Sequence, residues 1–79
     1  MQKSTKDSGA VQAITNLARS KNSEIGSYVS HYDNFGSYRV QVSNGGLTIS
    51  KEKVQDYNAT GKLTDIQIQE VANSFVKMK

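Results

Sequence analysis

The chain has 79 residues, a formal net charge of +3 and no cysteine. This length allows one domain with a thin hydrophobic core, to which oligomerisation or partner binding would add stability. The absence of cysteine excludes disulfides and thiolate metal sites and fits a reducing compartment. No apolar run approaches the ~20 residues that a membrane span requires. We therefore expect a cytoplasmic protein without a secretory signal, a membrane contact, a metal or a cofactor.

The first predicted element is an amphipathic helix that follows a flexible polar arm formed by residues 1–7. Ser8 is a suitable N-cap, and the helix is expected to run from Gly9 to about Lys21. Its apolar residues recur at helical spacing, which predicts one buried stripe. The stripe consists of Val11, Ile14, Leu17 and Ala18. Residues 8–79 are expected to form a single α+β domain.

Three β-strands are predicted next, joined by two short turns. They span Ile25–Tyr32, Ser37–Ser43 and Gly46–Ser50. Asn44 and Gly45 are typical of a two-residue type I′ turn, because both residues tolerate a positive φ. That turn would place Val42 opposite Leu47. Since side chains alternate along a strand, one face of the sheet is then apolar, and it carries Tyr38, Val40, Val42, Leu47 and Ile49.

The opposite face of the sheet is polar and is the predicted binding surface. Tyrosine and arginine carry much of the binding energy at protein interfaces, and they also stack on unpaired bases. If Tyr32 pairs with Ser37, Tyr28 and Tyr32 lie on this polar face, while Val29 and His31 lie on the apolar face. A shift of the pairing by one residue would instead bury both tyrosines. A merely solvated face is the alternative, since Tyr and Thr favour strands in any case. The predicted binding residues are Tyr28, Tyr32, Arg39, Gln41 and Thr48.

Two helical segments are predicted after the third strand. Residues 51–57 are expected to form one or two turns capped by Ser50, and residues 58–61 a loop. The last helix begins after Thr64, and Gln67 completes a capping box. Its apolar stripe at helical spacing consists of Ile68, Val71, Ala72, Phe75 and Met78. The predicted fold is therefore α+β, in the order α-β-β-β-(short α)-α, with a three-stranded antiparallel sheet and helices packed on one face.

No set of residues in the sequence matches a known catalytic or metal site. His31 is the only histidine, and Asp33 would lie on the same side of an extended strand as a partner that orients its ring. A half-buried structural histidine at the margin of the sheet is the simpler interpretation. We therefore predict a protein that is not an enzyme.

Size, the lack of a catalytic set and the polar sheet face together predict a protein-binding module. It would act as a stoichiometric inhibitor or regulator of a protein target, of the kind encoded by phages or plasmids, and a homodimer would also suit the thin core. The alternative is a nucleic-acid-binding regulatory domain that uses the sheet face or the basic residues. Those residues are Lys3, Lys6, Arg19, Lys21 and Arg39.

The predicted helix–three strands–helix order resembles that of two classes of protein that act on RNA. Double-stranded-RNA-binding domains carry a lysine cluster at the start of the last helix, where this chain has Lys62 followed by the uncharged or acidic residues 63–67. Small bacterial nuclease or interferase toxins are also similar, and their Gly-Ser-His motif is partly matched by residues 26–28, with His31 three positions later. The first resemblance implies RNA binding, and the second implies RNA cleavage by His31.

Overall fold

The computed structural model describes residues 5–78, which form an antiparallel sheet of four strands with three helices on one face. The helices are α1 (Thr5–Lys21), α2 (Lys51–Thr60) and α3 (Asp65–Asn73). The strands are β1 (Tyr28–Asn34), β2 (Ser37–Val42), β3 (Gly45–Ser50) and β4 (Val76–Lys77), and they lie side by side in this order. The α+β class is confirmed. The predicted sheet of three strands is wrong, because β4 follows α3 as a fourth strand.

The first helix begins earlier than predicted. Ser8, the predicted N-cap, lies within α1 rather than at its start. Asp7 lies in the first turn, where an acidic side chain suits the helix dipole. Its carboxylate accepts hydrogen bonds from the Tyr38 hydroxyl at 2.7 Å and from the Asn58 amide at 3.1 Å. These bonds attach the start of α1 to β2 and α2. Residues 1–4 of the predicted arm lie outside the described residues.

The hydrophobic core lies between the helices and one face of the sheet. The alternation predicted for β2 and β3 is confirmed, since all five residues assigned to the apolar face are buried: Tyr38, Val40, Val42, Leu47 and Ile49. The helices bury Ala10, Val11, Ile14, Ala18, Val54, Ile68, Val71 and Ala72 against them. Leu17 of the predicted stripe is only partly buried. Burial of apolar surface of this kind is the main stabilising contribution to the fold.

The turn between β2 and β3 differs from the predicted one. Ser43 and Asn44 form the two-residue turn, so that Leu47 pairs with Val40 and not with Val42 as predicted. Neither turn residue has a positive φ, which excludes a type I′ turn. The pairing is displaced by two residues, and a displacement by an even number leaves every side chain on its predicted face.

Asn44 and Gly45 have other roles, which explains the different turn. The Asn44 side chain accepts a hydrogen bond from the Gly26 amide at 2.8 Å and donates one to the Glu24 carbonyl at 2.7 Å. Gly45 lies against β4, where an added Cβ would be 2.1 Å from the Val76 carbonyl oxygen. The Asn-Gly pair thus serves contacts with distant segments of the chain.

The turn between β1 and β2 has the type I′ backbone that was predicted for the turn between β2 and β3. Phe35 and Gly36 are its central residues, and their φ angles of +42° and +84° have the sign that a type I′ turn requires. The turn falls within the predicted segment 33–36. β1 extends to Asn34, which pairs with Ser37.

A β-bulge in β1 determines which face its side chains occupy. The pairing with β2 shifts by one residue at Val29. Because the extra residue reverses the alternation before it, Tyr28 lies on the core face and its predicted place on the polar face is wrong. Val29 is exposed rather than on the apolar face. His31 and Tyr32 follow the bulge and occupy the faces predicted for them.

Both C-terminal helices begin as predicted. Ser50 caps α2, and Thr64 and Gln67 form the predicted capping box at the start of α3. α2 is longer than predicted, however, and continues through residues 58–60. It ends at Gly61, whose φ of +81° gives the left-handed C-cap that glycine adopts without strain.

The chain after α3 forms a strand where more helix was predicted. The Ser74 hydroxyl accepts a hydrogen bond from the Thr48 amide at 2.9 Å and lies 3.1 Å from the Thr48 carbonyl oxygen. This side chain therefore binds the outer edge of β3 at Thr48, and the following residues pair with that edge as β4. The helical spacing of Phe75 and Met78 with α3 is not used, because α3 ends before them.

Candidate binding surface on the open face of the sheet

The helices leave one face of the sheet open, and within the described residues this face carries no acidic side chain. Strand pairing assigns to it Ser30, Tyr32, Asn34, Ser37, Arg39, Gln41, Gly46, Thr48, Ser50 and Val76. We call this set the open face. Arg39 is its charged member, so the open face favours contact with negatively charged groups.

Residues of the open face form rows across the strands, and two of these rows contain predicted binding residues. Residues directly opposite each other on neighbouring strands have Cβ atoms roughly 5 Å apart, so the side chains of a row are neighbours except where a glycine interrupts it. The first row consists of Tyr32, Arg39 and Thr48, and the second of Ser30, Gln41, Gly46 and Val76. Four of the five predicted binding residues are thereby brought together: Tyr32, Arg39, Gln41 and Thr48.

Three of these side chains are exposed and have no partner in the described part of the chain. Tyr32 is 62% exposed, and Arg39 and Gln41 are exposed as well. None of the three makes a hydrogen bond or an ion pair with another residue of the range 5–78. Their phenol, guanidinium and amide groups are therefore available to an external ligand.

A groove of about 360 Å³ lies where the open face meets β4. Gly46 has no side chain to fill it, while Val76 and Met78 are 71% and 56% exposed beside it. Arg39 and Gln41 line the side towards β2. An apolar depression bordered by free polar groups is the usual composition of a protein-binding site.

Tyr28, the fifth predicted binding residue, lies on the other side of the sheet. Its hydroxyl is 2.5 Å from Nδ1 of His31. Burial raises the pKa of Tyr28, so the phenol keeps its proton. The predicted pairing of His31 with Asp33 is not formed, because the Asp33 carboxylate binds the Lys51 ammonium group at 2.6 Å.

Tyr38 connects this side of the sheet to α1. Its hydrogen bond to the Asp7 carboxylate, together with burial and the negative charges of Asp7 and Asp33, raises the pKa of Tyr38 to about 12. The His31 ring stands edge-on to the Tyr38 ring, with 5.5 Å between the ring centroids, and the Lys51 ammonium lies 5.4 Å from the centroid of the Tyr38 ring. The polar side chains on this side of the sheet are thus hydrogen-bonded or ion-paired with one another.

The basic residues predicted for nucleic-acid binding are not brought together. Arg19 donates a hydrogen bond to the Ile25 carbonyl at 3.3 Å, and Lys21 pairs with Asp65 at 3.4 Å. Both belong to α1, whereas Arg39 lies on the open face, which is the side of the sheet away from the helices. Two predicted residues fall outside what the structure describes: Lys3 and the side chain of Lys6.

Two kinds of site are absent from the part of the chain that the structure describes. Residues 5–78 contain no group of three or more His, Asp or Glu side chains that could hold a metal ion. No helix in this range has the length and apolar character needed to cross a membrane. No protein-family model, curated protein or solved structure matches the chain. Surface chemistry is therefore the basis for assigning a function.

The apolar part of the groove was missed by sequence reasoning. The sequence predicts that Met78 continues the apolar stripe of the last helix, and Val76 would lie in the same helix. The consecutive glycines Gly45 and Gly46 were the available signal, since glycine in a strand often marks the close approach of another backbone. They indicate that a further segment packs there, but they do not identify it.

Proposed function

We propose that the protein is a stoichiometric binding module, an inhibitor or regulator of one protein target, and that the open face is its interface. The observation that carries the proposal is the group of exposed, unpartnered side chains of Tyr32, Arg39 and Gln41 beside the groove. Tyrosine and arginine are among the residue types most enriched at the energetic centres of protein interfaces. The row from Tyr32 to Thr48 would form the centre of the contact.

The charge of the open face specifies the chemistry of the partner. Arg39 has no acidic neighbour on this face, and its planar guanidinium binds a carboxylate through two parallel hydrogen bonds. The target would therefore present an acidic residue next to an apolar side chain that enters the groove. A second copy packed face to face would bring two Arg39 side chains towards each other, which disfavours a homodimer through this surface.

The same charges make nucleic acid the weaker alternative. Affinity for nucleic acid comes largely from many phosphate contacts. Among the described residues the open face supplies one charged side chain and the groove beside it adds Lys77, while Arg19 and Lys21 already have partners elsewhere. A binder of duplex or single-stranded nucleic acid would need a basic surface that these residues do not form.

The proposal is tested by capture followed by a measured affinity. The tagged protein is used to isolate partners from lysate of its native host, with and without nuclease, and the captured protein is then purified. We expect Tyr32→Ala and Arg39→Ala each to raise the Kd for that protein by roughly tenfold or more. Calorimetric titration at fixed salt concentration gives the values.

Glutamine provides a matched control for this experiment. Gln41→Ala alters the open face, whereas Gln55→Ala alters an exposed side chain of α2 on the opposite side of the sheet. Only the first should weaken the complex. If Tyr32→Ala and Arg39→Ala both leave the Kd within twofold of the original, the open face is not the interface. If nuclease abolishes capture, the partner is a nucleic acid.

A further inference from the structure

Phe35 at the tip of the β1–β2 hairpin is not explained by the fold. Its φ of +42° lies in the left-handed region, which asparagine, aspartate and glycine tolerate and bulky residues rarely adopt. Its side chain is 99% exposed, so the ring packs against nothing in the described chain. Asparagine at this position would suit the turn better and would not expose an aromatic ring. Backbone strain of this kind is concentrated at functional sites.

The tip that carries Phe35 is held in place by α2. The amide of Lys51 donates a hydrogen bond to the Gly36 carbonyl at 3.0 Å. The Lys51 side chain also binds the Asp33 carboxylate at 2.6 Å, on the residue two positions before Phe35. An aromatic ring on a braced turn loses little conformational freedom on binding, which favours affinity.

The charges around the tip indicate what the ring would contact. Lys51 is neutralised by Asp33, and the neighbouring Glu52 is acidic and exposed. The described part of the tip therefore offers no free cation to a phosphate or to an anionic lipid surface. Tyr32 lies on the same hairpin and is also exposed, so Phe35 continues the open face at the end away from the groove.

We propose that Phe35 is the aromatic anchor of the protein interaction and inserts into an apolar pocket of the target. This inference rests on the proposed protein-binding function and names the residue that enters the target. Arg39 and the groove would receive groups from the target, whereas Phe35 is the group that the target receives. The strained turn is then explained by the gain in binding, since a residue better suited to the turn would lack the ring.

The test combines stability and affinity in one variant. Phe35→Asn should relieve the strain, so that the midpoint of urea unfolding of the free protein rises. The same variant should raise the Kd for the target, purified after capture, by roughly 30-fold, as expected for an anchor residue. Phe35→Leu keeps the strain and removes the ring, so it should weaken binding without raising the unfolding midpoint. Ile66→Asn replaces another exposed apolar residue, at the start of α3, and should leave the Kd unchanged.

The outcomes separate this inference from the proposed function. If Arg39→Ala weakens the complex and Phe35→Asn leaves its Kd within twofold, the open face stands and the anchor is refuted. If the unaltered protein captures no protein at all, both proposals fall. Vesicles of phosphatidylcholine with phosphatidylserine and a mixed-sequence duplex are tested in parallel, and Phe35-dependent binding to either would also overturn the inference. An unfolding midpoint that does not rise in Phe35→Asn would refute the argument from strain.

Discussion

Replacing Gly45 with alanine should separate β4 from the sheet. The new Cβ would lie 2.1 Å from the Val76 carbonyl oxygen and 3.0 Å from the Lys77 Cα. Both contacts involve backbone atoms, so no side-chain rotation can relieve them. Ordinary contacts of a Cβ begin near 3.4 Å, and β4 would therefore have to move away by about 1 Å or more.

A movement of that size has a predictable energetic effect. The Met78 amide donates a hydrogen bond to the Asn44 carbonyl at 2.8 Å, and 1 Å of added separation would take it beyond hydrogen-bonding range. Loss of this bond and of the pairing of β4 with β3 should lower the free energy of unfolding by about 1–3 kcal/mol. The groove should also lose its β4 wall, since Val76 and Met78 line it.

Urea unfolding followed by circular dichroism measures the change in stability, and hydrogen exchange of the Met78 amide reports on β4 directly. Gly9→Ala is the matched control, because a Cβ there meets nothing within 4 Å and the residue lies within α1. Alanine should stabilise that helix by up to about 1 kcal/mol. The close-approach argument is refuted if Gly45→Ala is as stable as the original protein and its Met78 amide stays protected.

Two further predictions concern the hydrogen bonds that position the helices. Tyr38→Phe removes the donor to Asp7 and should cost about 1–2 kcal/mol. The folded-state pKa of Tyr38 is raised to about 12 from an ordinary value of 10. The stabilisation is therefore complete below pH 10 and is lost as pH rises towards 12. The unfolding free energies of the two proteins should converge across that range, and a constant difference would contradict the assignment. Thr64→Ala removes the capping box of α3 and should cost about 1 kcal/mol, measured by thermal unfolding. Ser23→Ala, which removes an exposed hydroxyl in the loop after α1, is the comparison, and equal losses in the two would count against the cap.

The faces of the sheet could be predicted from the sequence, but its register could not. Alternation of apolar residues fixes whether Val40 and Leu47 point inwards, and it is unaffected by a displacement of two residues. The register instead depends on where the turn forms. Asn44 is held by the backbone around Gly26, and Gly45 is held by β4. Both interactions come from distant parts of the chain, so local turn preferences did not reveal them.

The same distinction applies to the candidate site. Alternation alone predicts that Tyr32 and Arg39 lie on the open face. The prediction for Tyr28 is wrong because the bulge at Val29, which moves Tyr28 to the core face, has no local sequence signature. Phe35 falls within a correctly located turn. Its strain depends on the loop having two residues rather than more, which is a property of the strand pairing.

The two edges of the sheet differ, and this limits how copies of the chain could assemble. On the β3 side, β4 pairs with Gly45 and Gly46, and the Ser74 hydroxyl accepts a hydrogen bond from the Thr48 amide. β4 itself spans two residues and is too short to template a further strand. β1 has no neighbouring strand on its outer side in the described chain. If two molecules paired through their β1 strands, each would cover the free β1 edge of the other. Such an association would stop at a pair and would not grow into a fibre.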